Sequence, residues 1–531
     1  MESEESGRSL WLRECKEETL EEIEGQVKGT IPLWMEGRVI RNGPGTLHVG
    51  KTQYHHLFDS LALLHQFNIS SGKVFYSSRF LGSDAYQKNM AANRIVITEF
   101  GTTAYPDPCA KFFRRFKNTL TIPTTDKVMS DNCSINVCQV RDEMFALTES
   151  CYIRQIDPKT LKTIGGKKNL SNHIPVNMLT AHPHIDRDGT LYNIGSSFTN
   201  PNGTCYSIVK MPDGRLRDAK VVASIPSRRK LEPSFYHSFA MTENYWVFIE
   251  QPLVLHLSKI IEGSMINRCP AESIKWLKEE DAFFRIVERS SGRAIPVSYK
   301  SRGFCTFYHV NAWEEDGQIL LDICGSMDGN PLDSLWVKNI EKSPDDPSRL
   351  SLSPSLLRFV LPVAGVKEAR TGDNLVKYGC SKSTAIKQND GSVLCSHEKL
   401  CTNFFNSPRI NYKRNGKPYR YAYGVGGKEK KLMFEKLFKI DVKTGETTEF
   451  EERGYVAGEP IFVQDPDGTE EDDGVIISTL LKKGDPFFVA LLILNARDMK
   501  ELGRAEFKTK GEVTQSFHGQ YIGARDAIHS Y

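Results

Sequence analysis

From about residue 31 onward the chain alternates apolar and polar residues in short runs bounded by turn chemistry, the pattern of half-buried antiparallel strands. Ile69 to Tyr76 turns across Ser71-Gly72, Met144 to Leu161 across Asp157-Pro158, and Ile208 to Val222 across Pro212-Asp213-Gly214. The same grammar returns at Glu315-Asp316-Gly317, Asn389-Asp390-Gly391, Lys443-Thr444-Gly445 and Asp465 to Gly468. Each predicts a hairpin. Helical spacing is confined to insertions such as Ala271 to Glu288 and Lys428 to Leu437, and no alternation of strand with helix announces a parallel sheet. The expected class is therefore all-β. Hairpins spread over nearly the whole length without linker-like breaks fit a β-propeller, a fold of ~4 to 8 four-stranded blades, and this length points to seven. The expected organisation is a tail with one short helix over residues 1–30 and a single propeller domain over 31–531.

Charge and cysteine content narrow the partners. With 69 basic and 66 acidic residues among 531, net +3, there is no global electrostatic case for nucleic acid. The longest purely apolar run, Phe487 to Leu494, falls far short of the ~18 residues of a spanning helix. The start MESEESGRSL has no apolar core and the ending AIHSY no prenylation box, so a cytoplasmic location is expected. Twelve cysteines without a CxxC pair in such a context are expected to be reduced.

Candidate chemistry lies in the histidines. Thr180 to Gly195, TAHPHIDRDGTLYNIG, reads as a short strand carrying His182, a turn at Asp186 to Gly189 and a second strand from Thr190. His237, His309 and His518 sit in aromatic-rich extended runs, SFYHSF, TFYHVNAW and QSFHGQY. A propeller brings inner strands to a common axis, so all four are expected to meet on one metal, for which imidazole suits iron, copper, zinc or nickel. Taken singly, a histidine is more often solvated or satisfied in the core. Spacing does not choose between His182 and His184, which share a strand face. A ligand histidine donates its other ring N–H to a carboxylate or carbonyl, and Glu149 in FALTESCYI and Glu459 in VAGEPIFV lie in apolar surroundings that fit this role. Both fit equally well as strand-end hydrogen-bonding groups.

The segments TAHPHID, SFYHSF, FYHVNAWEEDG, LTES, YVAGEPIFV, EEDDGVI and FHG, with PDPC and HHLFDSLALLHQF, resemble the carotenoid cleavage oxygenase family from about Trp11 to Gly519. Within it the chain is similar to the animal branch of β-carotene oxygenases and retinoid isomerases. WLREC, RIVITEFGT with PDPC, RFVLP and ELGRAEF look most like the insect isomerooxygenase type. The resemblance implies a seven-bladed propeller with a helical cap over the active-site face and one non-haem Fe(2+) held by His182, His237, His309 and His518. It prefers His182 over His184. Glu149 and Glu459 match two of three glutamates behind the ligands; Asn406 stands at the third, where its carbonyl accepts an imidazole N–H without bringing charge, leaving one ligand, His309, less polarised. Ile135 and Thr148 match positions that limit access to the iron.

The implied activity is dioxygen-dependent cleavage of carotenoids of the β-carotene and zeaxanthin class at the central double bond, coupled to trans-to-11-cis isomerisation of one half. Eccentric cleavage, retinyl ester isomerohydrolysis and an inactive carotenoid-binding protein are the alternatives. An insertion near 107–127 is expected to hold the protein peripherally on a membrane. Within DPCAKFFRRFKNTL, a helical wheel gathers Phe112, Phe113, Phe116 and Leu120 in one sector and Lys111, Arg114, Arg115 and Lys117 in the rest. Cys109 is a candidate for acylation.

Overall fold

The computed structural model describes residues 9–106, 129–198, 203–265, 268–327, 329–342, 354–379, 381–427 and 434–524. The expected membrane residues Cys109, Lys111, Phe112, Phe113, Arg114, Arg115, Phe116 and Lys117 lie outside them. The chain is mostly β, 47% strand and 10% helix. Among the described residues the strands pair into seven sheets of four or more strands and two of two strands.

Local turn chemistry sets most of these pairings. Ser71 at φ 53° and Gly72 at φ 74° both occupy the left-handed region, which matches the twist of a two-residue hairpin. They join Leu61–Ser70 to Lys73–Phe80. Asp316 and Gly317, at φ 50° and 72°, do the same for Cys305–Glu315 and Gln318–Ser326. Buried faces of neighbouring sheets then interlock, as with Val247, Ile286, Leu321 and Phe359, each buried side chain contributing about 1.5–3 kcal/mol before entropy is counted.

The two ends of the chain close one sheet. Gly37–Thr46 runs antiparallel to His518–Gly523, with Asn42 opposite His518. Residues 23–29 are not the loose tail expected: Ile23–Glu24 pairs with Lys73–Phe80, and Gln26–Gly29 with Glu501–Lys508. A short 3-10 helix, Ser9–Leu12, buries Trp11 against Phe434 and Phe517.

The helix expected over Ala271 to Glu288 is corrected. A 3-10 turn over Pro270–Ser273 leads into strands Ile274–Trp276 and Ala282–Glu288. In the latter Ala282, Phe284 and Ile286 are buried while Phe283 and Arg285 are not, a period of two that the longer window obscured. Of the stretch Lys428 to Leu437, residues 428–433 lie outside the described residues, and its end enters strand Lys436–Asp441. Among the described residues no helix is long and apolar enough to cross a membrane, and ten cysteines are buried.

Candidate metal centre

His182, His237 and His518 converge, with one ring nitrogen of each within 4.8 Å of the others. Buried polar pins hold the segment that carries His182. Asn193 Nδ2 donates to the Thr180 carbonyl at 2.9 Å and the Thr180 hydroxyl donates to Asn193 Oδ1 at 2.6 Å. Asn136 Nδ2 donates to the Ala181 carbonyl at 2.8 Å, and Asn42 Nδ2 reaches the carbonyls of Cys133 and Asn136. His182 thus lies in the connection before strand His184–Ile185 rather than within a strand. His518 is placed by the closing strand pair and by Phe517 N–H, which donates to the Asn42 carbonyl at 2.9 Å.

Carboxylates fix the tautomers. His237 Nδ1–H donates to Glu149, and His518 Nδ1–H donates to Glu459 at 2.8 Å. Since an ionised carboxylate only accepts, Nδ1 carries the proton and Nε2 presents a bare lone pair inward. His237 Nε2 stands 2.8 Å from His182 Nε2. Adjacent donors of a first-row ion with bonds of about 2.1 Å meeting at right angles lie about 3 Å apart, so this spacing fits two neighbouring ligands. Burial, then the neighbouring imidazoles, lowers the pKa of His182 well below the ordinary histidine value. Burial also outweighs the Glu459 carboxylate at His518, whose pKa is lowered too. Neutral imidazoles are the form that binds metal, and a buried set of them suits a divalent transition ion such as iron.

Glu459 is itself held from three sides. Arg409 grips both oxygens at 2.9 and 3.0 Å, the Gly519 amide donates at 3.1 Å, and Arg41 Nη1 donates to the Glu459 carbonyl at 3.0 Å. Burial alone pushes this carboxyl up, but Arg409 and His518 hold it at about 2. Glu149 has no such guanidinium among its described partners.

His309 is not among the three whose ring nitrogens lie within 4.8 Å of one another. Its Nδ1 faces Ser238 Oγ at 2.8 Å, and its backbone N–H donates to the same oxygen at 2.9 Å. The Ser238 hydroxyl donates to the Phe307 carbonyl at 2.7 Å, so His309 Nδ1–H is a donor and its buried Nε2 has no hydrogen-bond partner. Strand Cys305–Glu315 shifts register between Thr306 and Tyr308 and again between His309 and Asn311. A one-residue slip exchanges the faces of a strand, and Tyr308 takes the side turned to the cluster. Its ring centre lies 5.7, 5.1 and 5.5 Å from those of His182, His237 and His518.

His184 is satisfied elsewhere, Nε2–H donating to the Phe239 carbonyl at 2.9 Å and Nδ1 accepting from Asn415 at 3.3 Å. Thr148 lines a small apolar cavity with Leu147, Leu179, Pro183 and Met211, directly beside the His182 segment. Ile135 is buried in the same core as Leu147, Leu179 and Ala181. Sequence reasoning missed Tyr308, Ser238, Arg41 and Arg409. Tyr308 and Ser238 lie inside the quoted segments FYHVNAWEEDG and SFYHSF, whereas Arg41 and Arg409 lie in none of them.

The family profile for retinal pigment epithelial membrane protein, RPE65, matches residues 12–523. A rat protein named β,β-carotene 15,15'-dioxygenase is 39% identical over 96% of this chain and 90% of its own. A human protein named carotenoid-cleaving dioxygenase, mitochondrial, is 37% identical over 95% of this chain and 89% of its own. Among solved structures, a variant of Synechocystis apocarotenoid oxygenase superposes with a TM-score of 0.78 at 21% identity, covering 98% of both chains; that fold is a seven-bladed propeller. The cobalt-substituted Synechocystis enzyme superposes at 0.77 and 21%, again over 98% of both chains. This chain belongs to the carotenoid cleavage oxygenase (RPE65) family.

Proposed function

We propose that this carotenoid oxygenase is an Fe(II) dioxygenase that cleaves carotenoids at the central double bond to retinal-type aldehydes, with trans-to-11-cis isomerisation of one half. The observation that carries the reading is the convergence of His182, His237 and His518 with carboxylates on the outer nitrogens of two of them. Near-complete alignment with proteins named for 15,15' cleavage supports the central bond. Similarity to the insect isomerooxygenase type supports the coupled isomerisation. In this reading the seven larger sheets are the blades of one propeller and the histidines stand on its axis.

Iron(II), when bound, supplies the activation of dioxygen. The chain's own residues do the rest. His182, His237 and His518 offer neutral Nε2 donors, while Glu149 and Glu459 keep the proton on Nδ1 of His237 and His518. Arg409 keeps Glu459 ionised. Ile135, Thr148 and the apolar cavity beside them narrow the approach and exclude water, so that a polyene is positioned with one C=C at the centre. The aromatic and basic residues around 112–117 bring the protein to an anionic membrane from which an apolar substrate is drawn.

Anaerobic iron(II) loading, followed by admission of oxygen and product analysis on zeaxanthin, tests this. Two retinoids, one of them 11-cis, are expected. Two unequal apocarotenoids would move the cut away from the centre, and unchanged pigment in fully loaded protein would contradict the dioxygenase reading.

A further inference from the structure

Resting on the dioxygenase reading above, we propose that the small apolar cavity beside the His182 segment is a docking site for dioxygen. It lies where two neighbouring sheets meet. Phe145, Leu147 and Ile153 wall it from the sheet holding Glu143–Leu147 and Tyr152–Ile156, and Leu179, Leu191 and Met211 from the sheet holding Met178–Leu179, Leu191–Ser197 and Cys205–Met211. All six are buried. The volume is about 40 Å³, far below the ~300–1,000 Å³ of a site that encloses a drug-sized ligand, so no polyene fits. It still exceeds the ~10–15 Å³ that one water requires, and the polarity of the walls therefore decides what enters.

The polar groups in these walls are already committed to one another. The Thr180 hydroxyl donates to Asn193 Oδ1 at 2.6 Å, and Asn193 Nδ2 donates to the Thr180 carbonyl at 2.9 Å. The Ser150 hydroxyl accepts from the Tyr152 N–H at 3.1 Å and donates to the Ser130 carbonyl at 3.4 Å. A buried water needs about 2–4 polar partners, whereas an apolar void stays dry and admits an apolar gas. Dioxygen is small, apolar and weakly hydrated, and such a space concentrates it. The inner end adjoins the metal centre: Thr180 and Pro183 line the cavity on either side of His182 in the chain, and Thr148 and Ser150 on either side of Glu149, the partner of His237. A second, smaller cavity shares Leu179 and Thr180 with the first and has Glu149 in its wall. At the other end Val140 and Leu216 are half-buried beside Gly214. There the backbone is at φ 66° and a Cβ would meet Val140 Cγ1 at 1.9 Å, so glycine lets the chain close over this end. A gas held in this pocket reaches the centre from the side and does not compete with a polyene for the same approach.

The test uses the full chain as parent, Met211→Phe, which fills the cavity, and Leu216→Ala, which widens its outer end. Metal-free crystals are pressurised with xenon, and iron-loaded protein is assayed on carotenoid across a range of oxygen tensions. A xenon peak between Phe145, Leu147, Leu179 and Met211 is expected in the parent and in Leu216→Ala, and none in Met211→Phe. The KM for oxygen should rise several-fold in Met211→Phe, with the KM for carotenoid unchanged. In the parent, xenon added to the assay should compete with oxygen and not with carotenoid, a measurement that needs no variant to fold. Absence of the xenon peak, or an ordered water that xenon fails to displace, overturns the proposal. Xenon bound without competition against oxygen overturns it too, as does a KM for carotenoid in Met211→Phe that rises as much as that for oxygen. A parent that binds xenon here yet forms no aldehyde at any oxygen tension overturns the dioxygenase reading itself, and this proposal with it.

Discussion

The two flanks of the histidine cluster are built differently. On one, His237 and His518 lean on glutamates, and Glu459 is clamped by Arg409 within a buried ion pair. On the other, Tyr308, His309 and Ser238 contribute no carboxylate. The first flank stores charge behind the ring nitrogens, so each imidazole has one tautomer and one orientation; a buried carboxylate there survives only because guanidinium and amide donors compensate its lost hydration. The second flank is neutral, and its geometry comes from backbone register. The contrast teaches that donor strength at one centre has two sources, outer-sphere charge and strand placement, and that they fail under different substitutions.

Removing a convergent imidazole should break the comparison most severely. Alanine at His182, His237 or His518 is expected to abolish most metal binding and nearly all turnover, read by metal analysis and aldehyde formation. The resemblance extends the same expectation to His309, whose buried Nε2 has no hydrogen-bond partner; bound metal at the parent level in His309→Ala would confine the site to the three convergent histidines. Equal loss in all four variants would restore a symmetric four-histidine site.

Charge removal on the first flank comes next. Glu149→Gln and Glu459→Gln are each expected to lower metal affinity or activity about 10–100-fold, the usual penalty for an outer partner of a metal histidine. They should differ in stability. Glu459→Gln leaves the Arg409 guanidinium buried and unpaired, a loss of about 3–5 kcal/mol, whereas Glu149 has no cationic clamp to orphan. Urea denaturation of the two variants measures that gap, and equal midpoints would deny the clamp its role.

Acid offers a finer probe of the same flank. The Glu459 pKa falls from an ordinary 4.5 to about 2, so its contribution to stability is fully present above about pH 4.5 and is lost as pH falls toward 2. The stability difference between parent and Glu459→Gln should therefore shrink as pH falls through that window. A difference that stays constant down to pH 3 would remove Glu459 as its source. Smallest of all should be His184→Ala, whose ring bonds a carbonyl and Asn415: metal content is expected to hold, with only a modest change in melting temperature.

The charged flank was largely legible in the sequence, because a glutamate inside an apolar run, as in FALTESCYI or VAGEPIFV, declares that something polar awaits it. Turn signals such as Ser71-Gly72 and Asp316-Gly317 placed hairpins for a similar reason: left-handed backbone demands particular residues. Period-two burial in Ala282–Glu288 was hidden by charged neighbours that mimic a helical face. The neutral flank was not legible. In Tyr308-His309 two neighbouring rings lie near the site, and the register shifts around the pair set where each one goes. Nothing in the letters TFYHVN encodes those shifts, since they depend on how Cys305–Glu315 meets Gln318–Ser326 across the sheet.

The account's central claim is that one metal sits where His182, His237 and His518 converge. Diffraction at the iron absorption edge from iron-loaded crystals tests it most directly. The account predicts a single anomalous peak about 2.1 Å from the Nε2 atoms of all three. Stoichiometric iron with its peak at His184, or anywhere bonded to fewer than those three nitrogens, would contradict it.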